Sequence, residues 1–261
     1  MQSTELTKPL TTESLLKEFE SRFNQTMDLS KFTKEDLEDT ANHIRTKIHN
    51  ITQNTHFGEE LQDDGYQKNQ MMLDIVNQAI KEREFEKNIT LLEAFKKTKE
   101  HNKTFHVMGL LSDGGIHSHI NHLYEICDLG IKYGLKNILI HGFTDGRDTD
   151  PRSGIKYISQ LEKKYQNTIV KLASITGRYY AMDRDKRWER TSIAYHALTA
   201  GKGELSNNIQ QTIENNYNND VTDEFLKPII NTKGGEPIGI IKSGDIVLCF
   251  NFRKDRCRQI S

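Results

Sequence analysis

The apolar residues change their period near residue 104. Before that point they recur at helical spacing. Leu15, Leu16, Phe19 and Phe23 share one helix face behind a cap at Thr12 or Ser14. A second helix is predicted from Thr33 through Ile48, with Thr33 as cap and Asp36 placing negative charge in the first turn. Residues 50–66 are polar, contain Gly58 and Gly65, and read as a loop. Further helices are predicted over Gln70–Glu82 and from Leu91 to Lys99.

After residue 104 short apolar runs alternate with helical stretches. Phe105–Leu111 is a strand ended by Ser112-Asp113-Gly114-Gly115, and Ser118 is expected to cap a helix that buries Ile120, Leu123, Cys127 and Ile131. Asn137–Phe143 is the next strand, followed by a helix capped by Ser153 with Ile155, Ile158 and Leu161 inward. Ile169–Thr176 is the third strand, and the helix after it carries Trp188, Ile193, Ala197 and Leu198. Residues 206–219 read as a polar helix or insertion. Two closing strands are predicted at Ile238–Ile241 and Asp245–Phe252, joined by a turn at Lys242-Ser243-Gly244. Strands alternating with helices of this length define an α/β fold: a layered sandwich with a mostly parallel sheet, carrying a helical extension over residues 1–65.

Composition narrows the function. Across 261 residues the formal net charge is −1, so no global basic field argues for nucleic acid or an anionic membrane, and any anion site must be local. Cys127, Cys249 and Cys257 show no CxxC pair or metal spacing, as expected of reduced thiols in a cytoplasmic protein. Cys127 and Cys249 lie in apolar contexts, as core residues do. No apolar run approaches 18 residues, and the first residues lack the basic start and apolar stretch of a secretory signal.

The chemistry gathers where the strands end. The first gives Asp113, His117 and His119; the second gives Asp145, Arg147 and Asp148. The third gives Gly177–Arg190, which holds Arg178, Arg184, Lys186, Arg187 and Arg190 in fourteen residues; the last gives Arg253, Arg256 and Arg258. In a parallel sheet these clusters converge at one edge, and planar guanidinium groups there suit a compact polyanion. The spacing alone equally allows Gly177–Arg190 to be a solvated helix start. His117 and His119 form an HxH pair without a matched carboxylate, so no metal is assigned to them, and His117 reads as a hydrogen-bond partner for substrate. Asp148 reads either as a general base for a hydroxyl or as an ion-pair partner for its neighbouring arginines. Tyr179 and Tyr180 read as packing residues. Nucleophile-elbow, P-loop and dinucleotide-binding motifs are missing from the sequence. Acids interspersed among the arginines also argue against nucleic acid.

Four stretches, MGLLSDGGIHSHINHL, the DGRD loop, ITGRYYAMDRDKRWER with AYHAL, and FNFRKDRCRQI, closely resemble the cofactor-independent (2,3-bisphosphoglycerate-independent) phosphoglycerate mutases, from about Asp74 to Ser261. That family interconverts 2- and 3-phosphoglycerate in glycolysis through an enzyme serine. It combines a phosphatase-like domain, which holds the serine and two manganese ions, with an inserted phosphotransferase domain that grips the substrate. The resemblance implies that residues 66–261 are the inserted domain, and that His117, Arg147, Asp148, Arg178, Arg184, Arg253 and Arg256 hold phosphoglycerate, with Asp148 as the base for the glycerate hydroxyl. Neither the family's early metal-binding motif nor its serine motif is found before residue 70, and its later metal ligands are not found either. The expectation is therefore a chain that carries no cofactor of its own, binds phosphoglycerate without isomerising it, and completes an active site with a phosphatase-like domain on the same or another chain. A non-catalytic phosphoglycerate-binding module is the alternative.

Overall fold

The computed structural model describes residues 64–261, and side chains from residue 70 onward; the expected N-terminal helices at residues 12–23 and 33–48 lie outside the described residues. Seven helices and seven strands follow: α1 (Asp64–Lys81), α2 (Ile89–Glu100), β1 (Phe105–Leu111), α3 (Ile120–Tyr133), β2 (Ile138–Thr144), α4 (Gly154–Lys164), β3 (Val170–Gly177), the single turn α5 (Arg178–Ala181), α6 (Trp188–Ala200), β4 (Glu204–Ser206), α7 (Ile209–Asn218), β5 (Ile229–Lys233), β6 (Glu236–Pro237) and β7 (Ile246–Cys249).

The sheet runs β4-β5-β3-β2-β1-β7, with β6 hairpinned onto β5. β7, β1, β2 and β3 are parallel neighbours, whereas β5 runs antiparallel to β3. Every residue of β1 and β2 is buried, as central parallel strands covered on both faces must be. On one face Phe105, Val107, Ile138, Ile140 and Leu172 pack against α2, α3, α4 and α7 through Phe95, Leu123, Ile158 and Ile213. On the other, Met108, Leu110 and Phe143 meet Ala181, Ala194, Leu198, Cys257 and Ile260. The result is a three-layer α/β sandwich with a mostly parallel sheet.

Several local expectations are corrected. Ser118 does not cap α3: its hydroxyl donates to the Leu110 carbonyl at 2.6 Å, and His119 Nδ1 accepts from Asn121 N instead. Ile131 is exposed, because α3 turns its last apolar position to solvent. At α4 the Ser153 hydroxyl bonds the Asp150 carbonyl, and the first-turn amide of Gly154 is capped from afar by Asp223 Oδ2 at 2.7 Å. Trp188 and Ile193 face outward on α6, which buries Thr191, Ala194, Ala197 and Leu198. Residues 238–241 form no strand. The chain hairpins through β5 and β6, after which Ile238 N bonds Asn231 O and Ile241 N bonds Leu198 O.

The junction of β3 with the arginine stretch tolerates no side chain. A Cβ on Gly177 would run into the Glu224 carbonyl and sit 2.7 Å from Leu226 N and 2.8 Å from Asp223 O, all backbone atoms that cannot swing aside. Gly177→Ala is expected to destabilise the domain by about 2–4 kcal/mol. Urea denaturation checks this; a loss under about 0.5 kcal/mol contradicts it.

Candidate functional site

Successive strands step from β1 to β3 on one side, while β7 docks on the other side of β1. Strand order therefore reverses between β1 and β7, which is where the loops leaving the carboxyl ends part to form a crevice. The loops after β1, β2, β3 and β7 carry all seven candidate residues, and a bond from Arg253 N to the His117 carbonyl (3.2 Å) ties the last loop to the first.

The floor of this crevice is a buried charge cluster. Arg178 is 4% exposed; its Nη1 donates to Asp145 Oδ1 and to Asp148 Oδ2, each at 2.6 Å. Its Nη2 lies 3.0 Å from His117 Nε2. A guanidinium can only donate, so His117 Nε2 accepts and the imidazole proton sits on Nδ1. That Nδ1 is buried with no partner among the described residues. Burial first, and the Arg178 charge second, push the His117 pKa down to about 4, so the ring is neutral at pH 7. For Arg178, burial acts to lower the pKa, but the carboxylates of Asp148 and Asp145 outweigh it and the guanidinium stays charged. Asp145 Oδ1 also accepts from the amides of Arg147 and Asp148, which fixes the turn that presents them.

Above the floor stand the open arginines. Arg253 makes a two-pronged bond to Asp255, Nε to Oδ1 at 2.9 Å and Nη2 to Oδ2 at 3.2 Å, and Arg184 Nη1 reaches the same Oδ2 at 3.2 Å. One carboxylate thus sets two arginines side by side. Arg147 stands at the rim, mostly exposed, 3.7 Å from Glu224. Arg256 differs from the rest. Its Nε is buried without a partner among the described residues, and its pKa is lowered by burial and then by repulsion from Arg184, Arg178 and Arg147. Positive charge accumulates at this spot, only partly offset by Asp255.

The arginine stretch is tied to the C-terminal loop from both sides. Asp183 Oδ1 accepts from the amides of Asp185 and Arg187 and from Gln259 Nε2. Arg190 stacks 3.8 Å above the Tyr179 ring, so both serve packing, and the Arg187 side chain is exposed. Sequence reasoning gives Asp145 and Asp183 no individual role and leaves out Asp255 and Asp223. Asp145 and Asp255 each lie within three residues of a candidate arginine, a signal that could have found them. Asp223, 69 residues from the amide it caps, gave none.

A parallel α/β domain that collects arginines over its switch point, with carboxylates fixing them from behind, is an anion-binding domain. The chain belongs to the family described as the BPG-independent PGAM N-terminus, which matches residues 76–261. It is 50% identical over 187 residues to the 2,3-bisphosphoglycerate-independent phosphoglycerate mutase of Flavobacterium psychrophilum, covering 71% of this chain and 37% of that protein. Its identity to the enzyme of the same name from Clostridium novyi is 46% over 187 residues, with the same shares. A crystal structure of Leishmania mexicana phosphoglycerate mutase at low cobalt concentration superposes with a TM-score of 0.68 at 31% identity, over 72% of this chain and 36% of that one. The chain thus spans 37% of the length of these curated relatives. No helix among the described residues is long and apolar enough to cross a membrane.

Proposed function

We propose that residues 66–261 are the phosphotransferase domain of a cytoplasmic, glycolytic phosphoglycerate mutase, and that they hold 2- or 3-phosphoglycerate while a phosphoryl group moves between its hydroxyls. The observation that carries this reading is Arg256, whose buried Nε has no partner among the described residues and whose pKa is lowered by burial and by repulsion from Arg184, Arg178 and Arg147, only partly offset by Asp255. A doubly charged phosphate, or the glycerate carboxylate, relieves that repulsion and satisfies the orphaned donor. Arg184 and Arg253 add forks held in register by Asp255, and Arg147 closes the rim. Among the described residues the Nδ1–H of His117 is a second unpaired donor, suited to a substrate oxygen. Asp148 has Oδ2 held by Arg178 and no bond to Oδ1 among the described residues, which suits it to accept the proton of a glycerate hydroxyl.

Ser112 and Ser118, which follow β1, are committed to loop structure, Ser112 accepting from Gly114 N and Ser118 donating to Leu110 O. The resemblance implies a phosphoryl acceptor serine on a phosphatase-like domain, in the same or another chain. Among the described residues no group of three or more His, Cys, Asp or Glu side chains is placed to hold a metal. The manganese implied by the resemblance is therefore not assigned to these residues, and no step here runs through it.

Titration calorimetry with 3-phosphoglycerate tests the grip. Arg184→Ala removes one charge-assisted contact and is expected to weaken binding by about 10- to 100-fold, since Arg184 lies half-exposed and its loss leaves the fold intact. Equal affinity in the two proteins, or no binding by the wild type, overturns the reading.

A further inference from the structure

The 3-10 turn Asp223–Phe225, between α7 and β5, lodges against the ends of β2 and β3. Asp223 heads the turn and is fully buried. Its backbone holds the loop after β2 at two points: Asp223 N donates to the Pro151 carbonyl at 2.9 Å, and the Asp223 carbonyl accepts from Thr144 Oγ1 at 2.7 Å. Its carboxylate holds a third, because Oδ2 accepts from Gly154 N at 2.7 Å while the Tyr217 hydroxyl donates to Oδ1. The fit is close. A Cβ on Gly154 would lie 2.6 Å from Oδ1, and one on Gly146, which adopts φ +66°, would lie 2.8 Å from the Asp223 Cβ. Arg147 and Asp148 stand between these ties, and Glu224, the next residue of the turn, lies 3.7 Å from Arg147. Further on, the Leu226 carbonyl accepts from Gly177 N at 2.8 Å, just ahead of Arg178.

A carboxylate is a costly way to cap one helix. Its hydrogen-bonded side-chain partners are neutral, an amide and a phenol, and among the described residues no cation is bonded to it. A local cap was at hand in Ser153, whose hydroxyl bonds Asp150 O instead. We infer that Asp223 is a positioning residue, holding the Thr144–Gly154 loop in the conformation that offers Arg147 and Asp148 to the anion; this role rests on the function proposed above. Asp223 has no exposed surface, so it acts through the loop. Inside the loop Asp145 Oδ1 fixes the amides of Arg147 and Asp148, which makes the turn one unit, and Asp223 fixes that unit to the end of the sheet. Removing the carboxylate frees the Gly154 end, and Arg147 and Asp148 then meet the anion out of register. Asparagine keeps the tie, because its oxygen accepts from Gly154 N and the Tyr217 hydroxyl can turn to accept from its amide.

Calorimetry with 3-phosphoglycerate reads the role. Asp223→Ala is expected to bind about 10-fold more weakly at unchanged stoichiometry, and Asp223→Asn within about 3-fold of the wild type. In an Arg147→Ala background the same alanine is expected to cost less than about 3-fold, whereas in Arg184→Ala, on a different loop, it costs the full factor. Thr144→Val cuts another tie and leaves the carboxylate in place. It is expected to repeat that pattern, so the test stands even where Asp223→Ala does not fold. Wild-type affinity in both variants, an equal cost in the two arginine backgrounds, or a fall in stoichiometry at constant affinity overturns the proposal. Amide hydrogen exchange on the ligand-free chain separates it from the function proposed above. The Arg147 and Asp148 amides are expected to exchange at least about 10-fold faster in Asp223→Ala or Thr144→Val, with those of Arg253 and Cys257 unchanged. If the wild type binds no phosphoglycerate, the proposed function fails, while exchange still decides whether Asp223 holds the loop; unchanged exchange at Arg147 and Asp148 overturns it.

Discussion

Replacing Arg178 with methionine is expected to destabilise the domain by about 3–5 kcal/mol and to abolish anion binding. The side chain is buried, and its guanidinium is the shared partner of Asp145, Asp148 and His117. Methionine fills similar volume but supplies no donor. Asp145, 1% exposed and already carrying an unpartnered Oδ2, would then be a buried carboxylate with no counter-charge. His117 Nε2 would lose its donor, and its tautomer would no longer be set. Lysine does not repair the site, because one ammonium cannot span two carboxylates and an imidazole in a planar fork. The cause can be separated from lost packing by adding Asp145→Asn to Arg178→Met. The amide still accepts from the Arg147 and Asp148 backbones while removing the stranded charge, so the double variant is expected to regain about 1–3 kcal/mol. Urea denaturation of both variants provides the measurement. A single-variant loss below about 1 kcal/mol, or no recovery in the double, would show that the cluster is solvated rather than buried.

That cluster also marks how far the residues alone reveal the site. Mostly apolar strands announced themselves: β1, β2 and β3 fall within a residue or two of where the pattern predicts them, because a central strand covered on both faces keeps few polar positions to blur its run. The convergence of arginines followed from the strand ends, since parallel strands release their loops on one side. The edge of the sheet was not legible. β4 has three residues, and β5 runs antiparallel to β3 over two paired positions, so neither offers a period to read. The apolar Ile238–Ile241 looked more like a strand than either, but Gly239 lies against Leu139 and the segment packs instead of pairing. The division of labour among arginines was hidden for another reason. Arg178 and Arg256 look alike in sequence. One is saturated by carboxylates and the other is starved of them, and only the fold decides which acid meets which base.

Lowering the pH from 7 toward 4 is expected to destabilise the domain steeply, with proton uptake on unfolding, well before its carboxylates titrate. Five histidines are held toward the neutral form, His119 among them, lowered by burial against the pull of Asp113. His141, on β2, is fully buried, and its pKa is pushed down to about 3 by burial and then by His106. His117 and His122 are each lowered to about 4, chiefly by burial, and His106 is lowered by burial against the pull of Asp245. The geometry locks the neutral forms. Ser174 Oγ donates to His141 Nδ1 at 2.8 Å, His141 Nε2–H faces His106 Nδ1 at 2.9 Å, and His106 Nε2–H faces Asp245 at 3.3 Å. A proton added to His141 must point at the Ser174 hydroxyl, and one added to His106 at His141, so charging either ring breaks the chain of donors. A base whose folded pKa lies below its unfolded value near 6.5 stabilises fully above 6.5, and that stability is lost as pH falls toward the folded pKa. For His141 alone the whole shift is worth on the order of 4–5 kcal/mol, from about 1.36 kcal/mol per pKa unit. Asp223 works the other way: burial raises it to about 6, so its ionisation penalises the fold as pH rises from 3.8 through 6 and is relieved on acidification. Asp223 offsets about one histidine, leaving a net loss from the remaining four. Urea denaturation between pH 8 and pH 4.5 should show stability level above about 7 and falling below 6.5. His141→Gln keeps a donor and an acceptor and should flatten that slope by about one proton, even at a lower starting stability. A wild-type profile level down to pH 4.5, or an unchanged slope in the variant, would mean that the buried imidazoles do not govern acid stability.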